Sequence, residues 1–422
     1  MLVALATMVT QSLTLKDVAA EADRLVSQLA AIEARAASGP ELFRRHLRSL
    51  RMLVRVEEAR AHGYFGTKGD VTPKTLDFFR AIGRGLAADA GKWETYLGGR
   101  RSLVLAYVSR HDHTVQHYAL TLPKDWEPMK AYPLYLELHG AGDPHPLGWA
   151  AGQVGLPEGV KAADYQRPTM VPMVERKGYH VYPFGRGNSG YVGVGEVDVW
   201  EALEDAQASF QLDQDRYYLY GFSMGGGGTW RIAARTPDKW AAIAMLAPAA
   251  YSIRQDAAVG LGRNVRHLPM FEFIGDKDFL LQGARGIRDE IRRHGGEVEY
   301  IEEVGLDHNF TQESQRLAAR FFDGKVRNRP TKFSFVADTP EHLGAWGVRL
   351  VRDLSMSGAP SFECSVEGNT VTLTSQGTPG LFLDLVAMKL KGEVRVIWNG
   401  VEAYKGEAKA ITVGKVPEGR GW

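Results

Sequence analysis

The spacing of apolar positions changes twice along the chain, and each change marks a different architecture. From Leu15 the apolar residues recur at Leu15, Val18, Ala22, Leu25, Leu29 and Ile32, in steps of three and four that place them on one helical face. Gly39-Pro40 ends that helix. A second amphipathic stretch from Glu41 to about His62 carries Leu42, His46, Leu50, Leu53 and Val54 on one side, and a third is expected from Thr75 to Ala88. Residues 1–98 therefore read as an N-terminal helical region, without motif residues, that packs on the rest. Its apolar start, Met1 to Val9, has no Lys or Arg before Lys16, so it lacks the charged flank of a signal peptide, and it is too short to cross a bilayer. It is expected to pack as a helix or tail, and location stays open between cytoplasm and export.

After Arg100 the period falls to that of strands. Leu103–Tyr107 and Gln116–Leu120 suggest an antiparallel pair. Largely apolar runs follow at Leu134–Leu138, Tyr179–Tyr182, Tyr217–Tyr220, Ala241–Leu246, Met270–Ile274 and Val298–Val304, separated by helical stretches such as Asp198–Phe210 and one from Leu281 to Gly295-Gly296. Strands buried on both faces and alternating with helices predict an α/β fold with a doubly wound, mostly parallel sheet over residues 99–326. Beyond Lys325 the helical period is lost. Short alternating runs at Phe333–Val336, Trp346–Val351, Phe362–Val366, Thr370–Thr374 and Val394–Trp398, with a hairpin signal at Asn399-Gly400, predict a small Ig-like β-sandwich over residues 327–422.

Composition narrows the partners. With 51 Lys and Arg against 50 Asp and Glu, the net charge of +1 offers no field for nucleic acid or an anionic membrane. The single cysteine, Cys364, excludes intrachain disulfides and cysteine-based zinc clusters and reads as a core residue. Hydrophobic content of 44% with 24% charged residues excludes a disordered or collagenous chain.

The sharpest chemical signal is Gly221-Phe222-Ser223-Met224-Gly225, set between the strand Asp215–Tyr220 and a helix that runs to the break before Pro237. A G-x-S-x-G string in that setting predicts a nucleophile elbow, whose glycines clear the neighbouring strand and helix and whose helix N-terminus faces a developing oxyanion. Serine needs a base, and the base needs an acid that fixes its tautomer. Chain order in such folds is serine, acid, histidine. Gly275-Asp276-Lys277-Asp278 follows the strand Met270–Ile274. Asp278 is preferred as the acid because it lies further beyond the strand, and Asp276 reads as a turn residue. His308, in Gly305-Leu306-Asp307-His308-Asn309, is the candidate base. His139-Gly140-Ala141-Gly142 follows the strand Leu134–Leu138, so the backbone N–H groups of Ala141 and Met224 are the expected oxyanion donors, with His139 a structural loop residue. Phe222, Tyr191 and Trp230 suggest an apolar substrate wall. His111, His113 and His117 straddle a turn with no completing carboxylate, so no metal is expected. Glu137 and Glu272 interrupt apolar strands and are candidates for pocket or helix-anchoring roles.

The stretch from Gly185-Arg186-Gly187 through Gly195-Glu196-Val197-Asp198-Val199 to Asp215-Arg216-Tyr217-Tyr218-Leu219-Tyr220-Gly221-Phe222-Ser223-Met224-Gly225-Gly226 and Gly228-Thr229-Trp230 resembles bacterial α/β-hydrolase esterases related to prolyl oligopeptidases. It is similar also to polyhydroxybutyrate depolymerase-like and feruloyl-esterase-like enzymes. The resemblance spans about Leu103 to Phe322. It implies Ser223, Asp278 and His308 as a triad, Ala141 with Met224 as oxyanion hole, and no cofactor. One position departs: Ile274 stands where relatives often have histidine, so Asp276 stays open beside Asp278. No β-propeller is expected in the helical first hundred residues, which removes the peptide-sieving part of the oligopeptidases. The expected activity is hydrolysis of a small-molecule or polymer-attached ester through an acyl-enzyme. The alternatives are a serine amidase or peptidase, and a carbohydrate- or protein-binding scaffold.

Overall fold

The structure, a computed structural model, describes residues 14–63, 102–142, 177–353 and 355–415. The apolar start and the helix expected at 75–88 lie outside the described residues. Helix α1 (Leu15–Arg35) opens with a reciprocal cap, in which the Thr14 hydroxyl accepts from the Asp17 N–H and Asp17 accepts from the Thr14 N–H. It buries Val18, Ala22, Leu25, Leu29 and Ile32, as the spacing demands, whereas Leu15 at its start is exposed. Helix α2 (Glu41–Ala61) packs on α1 and on the first strand.

Strands β1 (Ser102–Val108), β2 (Val115–Thr121), β3 (Tyr132–Leu138), β4 (Tyr179–Pro183), β5 (Leu212–Phe222), β6 (Ala242–Leu246), β7 (Met270–Gly275) and β8 (Glu299–Glu303) form one sheet in the order β1-β2-β4-β3-β5-β6-β7-β8. β2 is antiparallel to both neighbours, and β4 through β8 are parallel. Every residue of β3, β4, β6 and β7 is buried, which is why their sequences run apolar without alternation. Helices α3 (Val194–Ser209), α4 (Met224–Arg235), α5 (Ile253–Val259), α6 (Gly262–Val265), α7 (Leu281–Arg293) and α8 (Gln312–Phe322) fill the connections. Helix α3 begins four residues earlier than its apolar pattern suggests, because Gly193, at φ 54°, turns the chain into it.

β1 is the rim of the sheet, and a rim presents unpaired N–H groups. Here α2 supplies the acceptors: the Val104 N–H donates to His46 Nδ1 at 2.9 Å and the Ala106 N–H to Ser49 Oγ at 2.9 Å.

The C-terminal part has two sheets around their own core: β10 (Gly344–Ala345), β11 (Val348–Leu350), β14 (Gly380–Asp384) and β17 (Ala410–Gly414) in one, and β9 (Lys332–Val336), β12 (Ser361–Glu367), β13 (Thr370–Gln376), β15 (Glu393–Trp398) and β16 (Val401–Glu407) in the other. The run expected as one strand over Trp346–Val351 is instead broken by a turn at Trp346-Gly347, both with positive φ, which makes β10 and β11 a hairpin. β13 and β15 pair in parallel, unlike the antiparallel neighbours expected of an Ig-like sheet. Asn399 and Gly400, both left-handed, form the hairpin joining β15 to β16. Cys364 is buried in this core.

Candidate active site

Parallel strands end at a common edge, so the loops after β3, β5, β7 and β8 converge there. Between β5 and α4 the chain reverses through one residue, Ser223, held at φ 56° and ψ −115°. A non-glycine residue in that region is strained by about 1–3 kcal/mol and persists only where its surroundings hold it. They do so through the backbone: Ser223 N–H donates to Leu246 O at 2.9 Å, and Ser223 O accepts from Gly227 N–H at 3.0 Å and Ala249 N–H at 2.9 Å. A methyl group at Gly225 would lie 1.9 Å from Leu138 O, so only glycine lets α4 start against β3.

The serine hydroxyl lies 2.9 Å from His308 Nε2, and His308 Nδ1 lies 2.8 Å from Asp278 Oδ2. The other Asp278 oxygen accepts from the Leu280 N–H at 2.8 Å. The Asp278 side chain is wholly buried while the imidazole keeps a quarter of its surface. Asp276 faces the other way. Its Oδ1 accepts from the Gly305 N–H at 2.7 Å, tying the loop that carries His308 to the loop that carries Asp278. The two loops touch so closely that a methyl group at Gly275 would lie 2.1 Å from Leu306 O. An eight-stranded sheet in this order, an elbow after its central strand, and an acid and a histidine after the following strands together decide the architecture. The fold is that of the α/β-hydrolases.

No protein-family model matches the chain, and no curated protein matches it. Among solved structures it is similar to a thermostable esterase at 18% identity and TM-score 0.39, over 54% of this chain and 64% of that one. It is similar also to the Staphylococcus aureus fluorophosphonate-binding serine hydrolase F, at 16% identity and TM-score 0.41, over 53% of this chain and 98% of that one. Pyrococcus horikoshii acylaminoacyl peptidase is a further likeness, at 15% identity and TM-score 0.42, over 56% of this chain and 44% of that one. The chain thus spans just under two thirds of the esterase's length, and the fold assignment rests on strand order and the elbow rather than on these likenesses.

In this α/β-hydrolase frame the loop after β3 lies over the serine: a methyl group at Gly140 would be 3.5 Å from Ser223 Cβ. His139 is a structural part of that loop, its ring nitrogens each 2.8 Å from a carbonyl oxygen, of Gly140 and of Phe184. Asn188, which the sequence pattern does not flag, grips the loop through both backbone polar groups of one residue, Gly142. Its Nδ2 donates to Gly142 O at 2.6 Å and its Oδ1 accepts from Gly142 N–H at 3.1 Å. The turn bearing Asn188 is held in turn by Asp198, which accepts from Gly185 N–H and from the Tyr107 hydroxyl, each at 2.7 Å. Burial pushes the Asp198 carboxyl up to about 6.

Of the three aromatics expected to wall a pocket, one is at the site. The Phe222 ring stacks 5.0 Å from the His308 ring. Tyr191 and Trp230 are corrected to packing residues. Tyr191 has no exposed surface and donates to His139 O at 3.1 Å, and Trp230 is buried with its indole N–H on Asp256 at 2.9 Å. The second aromatic beside the histidine is instead Phe279, 4.7 Å from its ring and 72% exposed. Its position directly after Asp278 was the available signal. Glu137 accepts from Tyr220 at 2.6 Å inside the sheet, where burial raises it to about 8. Glu272 is fully buried, with neither oxygen bonded among the described residues, and burial holds its carboxyl well above the usual range. His117 stacks on Phe184, and among the described residues no group of His, Cys, Asp or Glu is placed to hold a metal. No described helix is long and apolar enough to cross a membrane.

Proposed function

We propose that this chain is a serine hydrolase of carboxylic esters that works through an acyl-enzyme. The observation that carries the reading is the continuous hydrogen-bond chain from Ser223 Oγ through His308 to a buried Asp278. Ser223 attacks the ester carbonyl as His308 Nε2 takes its proton, and Asp278 stabilises the imidazolium that forms. His308 then delivers the proton to the leaving alkoxide. Water, deprotonated by His308, attacks the acyl carbonyl and frees the acid and Ser223. The N–H groups of Met224, first residue of α4, and of Ala141 are assigned to the oxyanion, where each donor is typically worth about a hundredfold to a thousandfold in rate. No step calls for a cofactor. The preference for esters over amides rests on the resemblance of the Asp215–Gly226 stretch to bacterial esterases, and Phe222 and Phe279 give the histidine an apolar flank for the acyl or alcohol group.

The test is hydrolysis of chromogenic esters from acetyl to decanoyl, with matched anilides, together with mass spectrometry after an organophosphonate. Ester turnover, phosphonylation of Ser223, and loss of about a millionfold in Ser223→Ala are expected. Faster turnover of the anilides would replace the esterase by an amidase. Inactivation without a label on Ser223 would remove the nucleophile assignment.

A further inference from the structure

The strongest feature outside the triad lies at the seam between the hydrolase sheet and the C-terminal sheets. A cavity of about 320 Å³ opens there between the turn after α4, the connector 327–331, and the loops of the C-terminal part. Its volume falls at the lower end of small-molecule sites, which run from about 300 Å³ upward. Phe333, Trp346 and Met388 give it an apolar wall, with the Trp346 and Phe333 rings 5.0 Å apart. Arg327, Arg329 and Lys389 line it as cations.

Three observations make this more than a crevice. The Trp346 indole N–H is buried and has no acceptor among the described residues, and such donors are rarely left unmatched. The Trp346 backbone is held at φ 50° with its N–H on Asp238 Oδ2 at 3.1 Å, and its ring packs beside Phe333 and His267, at 5.0 and 6.4 Å between ring centres. The charges also fail to cancel. Arg327 and Arg329 share a single oxygen of Asp215, at 2.8 and 2.7 Å, and the Lys389 ammonium has no carboxylate partner among the described residues. Three cations against Asp215 and Asp238 leave one positive charge.

We infer that this seam cavity is a binding site for a small carboxylic acid with an aromatic or short alkyl body. The carboxylate sits among Arg327, Arg329 and Lys389, and the apolar body lies on Phe333, Trp346 and Met388. One residual positive charge matches a monoanion better than a phosphate monoester, and an acceptor brought into the cavity supplies what the indole N–H lacks. The wall is shared by the hydrolase turn, the connector and the C-terminal loops, so a bound ligand touches all three. The site does not depend on the role given to Ser223.

The experiment is titration of the full-length protein with 4-fluorobenzoate followed by fluorine NMR, with 4-fluorobenzyl alcohol and inorganic phosphate as comparisons. Saturable binding of the benzoate is expected, at least tenfold tighter than either comparison and unchanged in Ser223→Ala. Lys389→Asn, which keeps a residue tolerant of the φ of 64° found there, should weaken binding at least tenfold. Trp346→Phe, which keeps a ring and deletes the N–H, should weaken it severalfold, and neither variant should change ester turnover. No saturable binding, equal binding of the alcohol, tighter binding of phosphate, or affinity unmoved in Lys389→Asn would overturn the proposal. Lys389 is exposed, so that variant decides even if Trp346→Phe does not fold.

Discussion

Asp276 and Asp278 are two residues apart, carry the same group, and do different work. Asp278 bonds the imidazole of His308 and is proposed to orient it, while Asp276 accepts one backbone N–H and joins two loops. An amide at 276 can still accept that bond, whereas an amide at 278 presents either a donor to a donor or the wrong tautomer to the serine. Asp278→Asn should therefore lower ester turnover by about ten-thousandfold, and Asp276→Asn by no more than a few fold. Similar losses in both variants would undo the distinction. Asn188 holds Gly142 in the loop after β3, and if that loop supplies the proposed oxyanion donor, Asn188 acts by positioning it. Asn188→Ala frees the Gly142 peptide and should cut kcat by roughly tenfold to a hundredfold, within the worth of one oxyanion donor, with KM little changed. A change confined to KM would place Asn188 in substrate binding instead.

Among the elements, β7 carries an uncompensated group. Glu272 sits in a buried strand without a hydrogen-bond partner among the described residues, and desolvation holds its carboxyl well above the usual carboxylate range. A pKa raised in the folded state gives stability that is whole below the unfolded value of 4.5 and is lost as pH rises. Glu272→Met removes both the unpaired polar atoms and the titration. It should stabilise the fold by about 1–3 kcal/mol at pH 8 and by less at pH 5, read from urea unfolding. A gain equal at both pH values would contradict the raised carboxyl. The same strand illustrates what the sequence makes legible. β3, β4, β6 and β7 declare themselves as largely apolar runs because both faces are covered, and the elbow declares itself because Gly225 admits no side chain beside Leu138. β14, β16 and β17 do not. β16 is mostly exposed and mixes Glu, Lys and Gly with its apolar residues, so its pairing is fixed by the Asn399-Gly400 turn and by β15 rather than by its own pattern. Asn188 is equally silent, since its partner lies 46 residues away in an exposed loop. Tyr191 and Trp230 misled because lying in a loop or helix that leads to the site says nothing of which way a ring points; both are buried in the core.

At the scale of the whole molecule, the hydrolase sheet is held on two sides by neighbours. The C-terminal sheets are tied to it by Arg235 with Asp338, by His342 with Glu196, and by Asn264, whose side-chain amide both accepts from and donates to the Val336 backbone. On the other side α2 closes the β1 rim through His46, and burial lowers that imidazole from 6.5 to about 4. A histidine buried neutral contributes stability that is complete above 6.5 and lost as pH falls toward 4, because the unfolded chain takes up the proton first. The loss attributable to His46 is on the order of 3 kcal/mol. His46→Gln, which keeps an acceptor but does not titrate, should flatten the stability profile between those pH values in urea unfolding. A profile as steep as that of the wild type would assign the acid sensitivity elsewhere.

That rim has one more consequence. His46 Nδ1 faces both polar atoms of one residue, the Val104 N–H at 2.9 Å and the Val104 carbonyl at 3.0 Å, so the neutral ring occupies the first and a protonated ring would turn to the second. Val104 is wholly buried beneath α2, so its N–H becomes a template for an extended segment only when that helix leaves. Conditions that detach α2 are therefore expected to let the protein associate by strand addition at this margin, with light scattering that grows with concentration and follows the loss of α2.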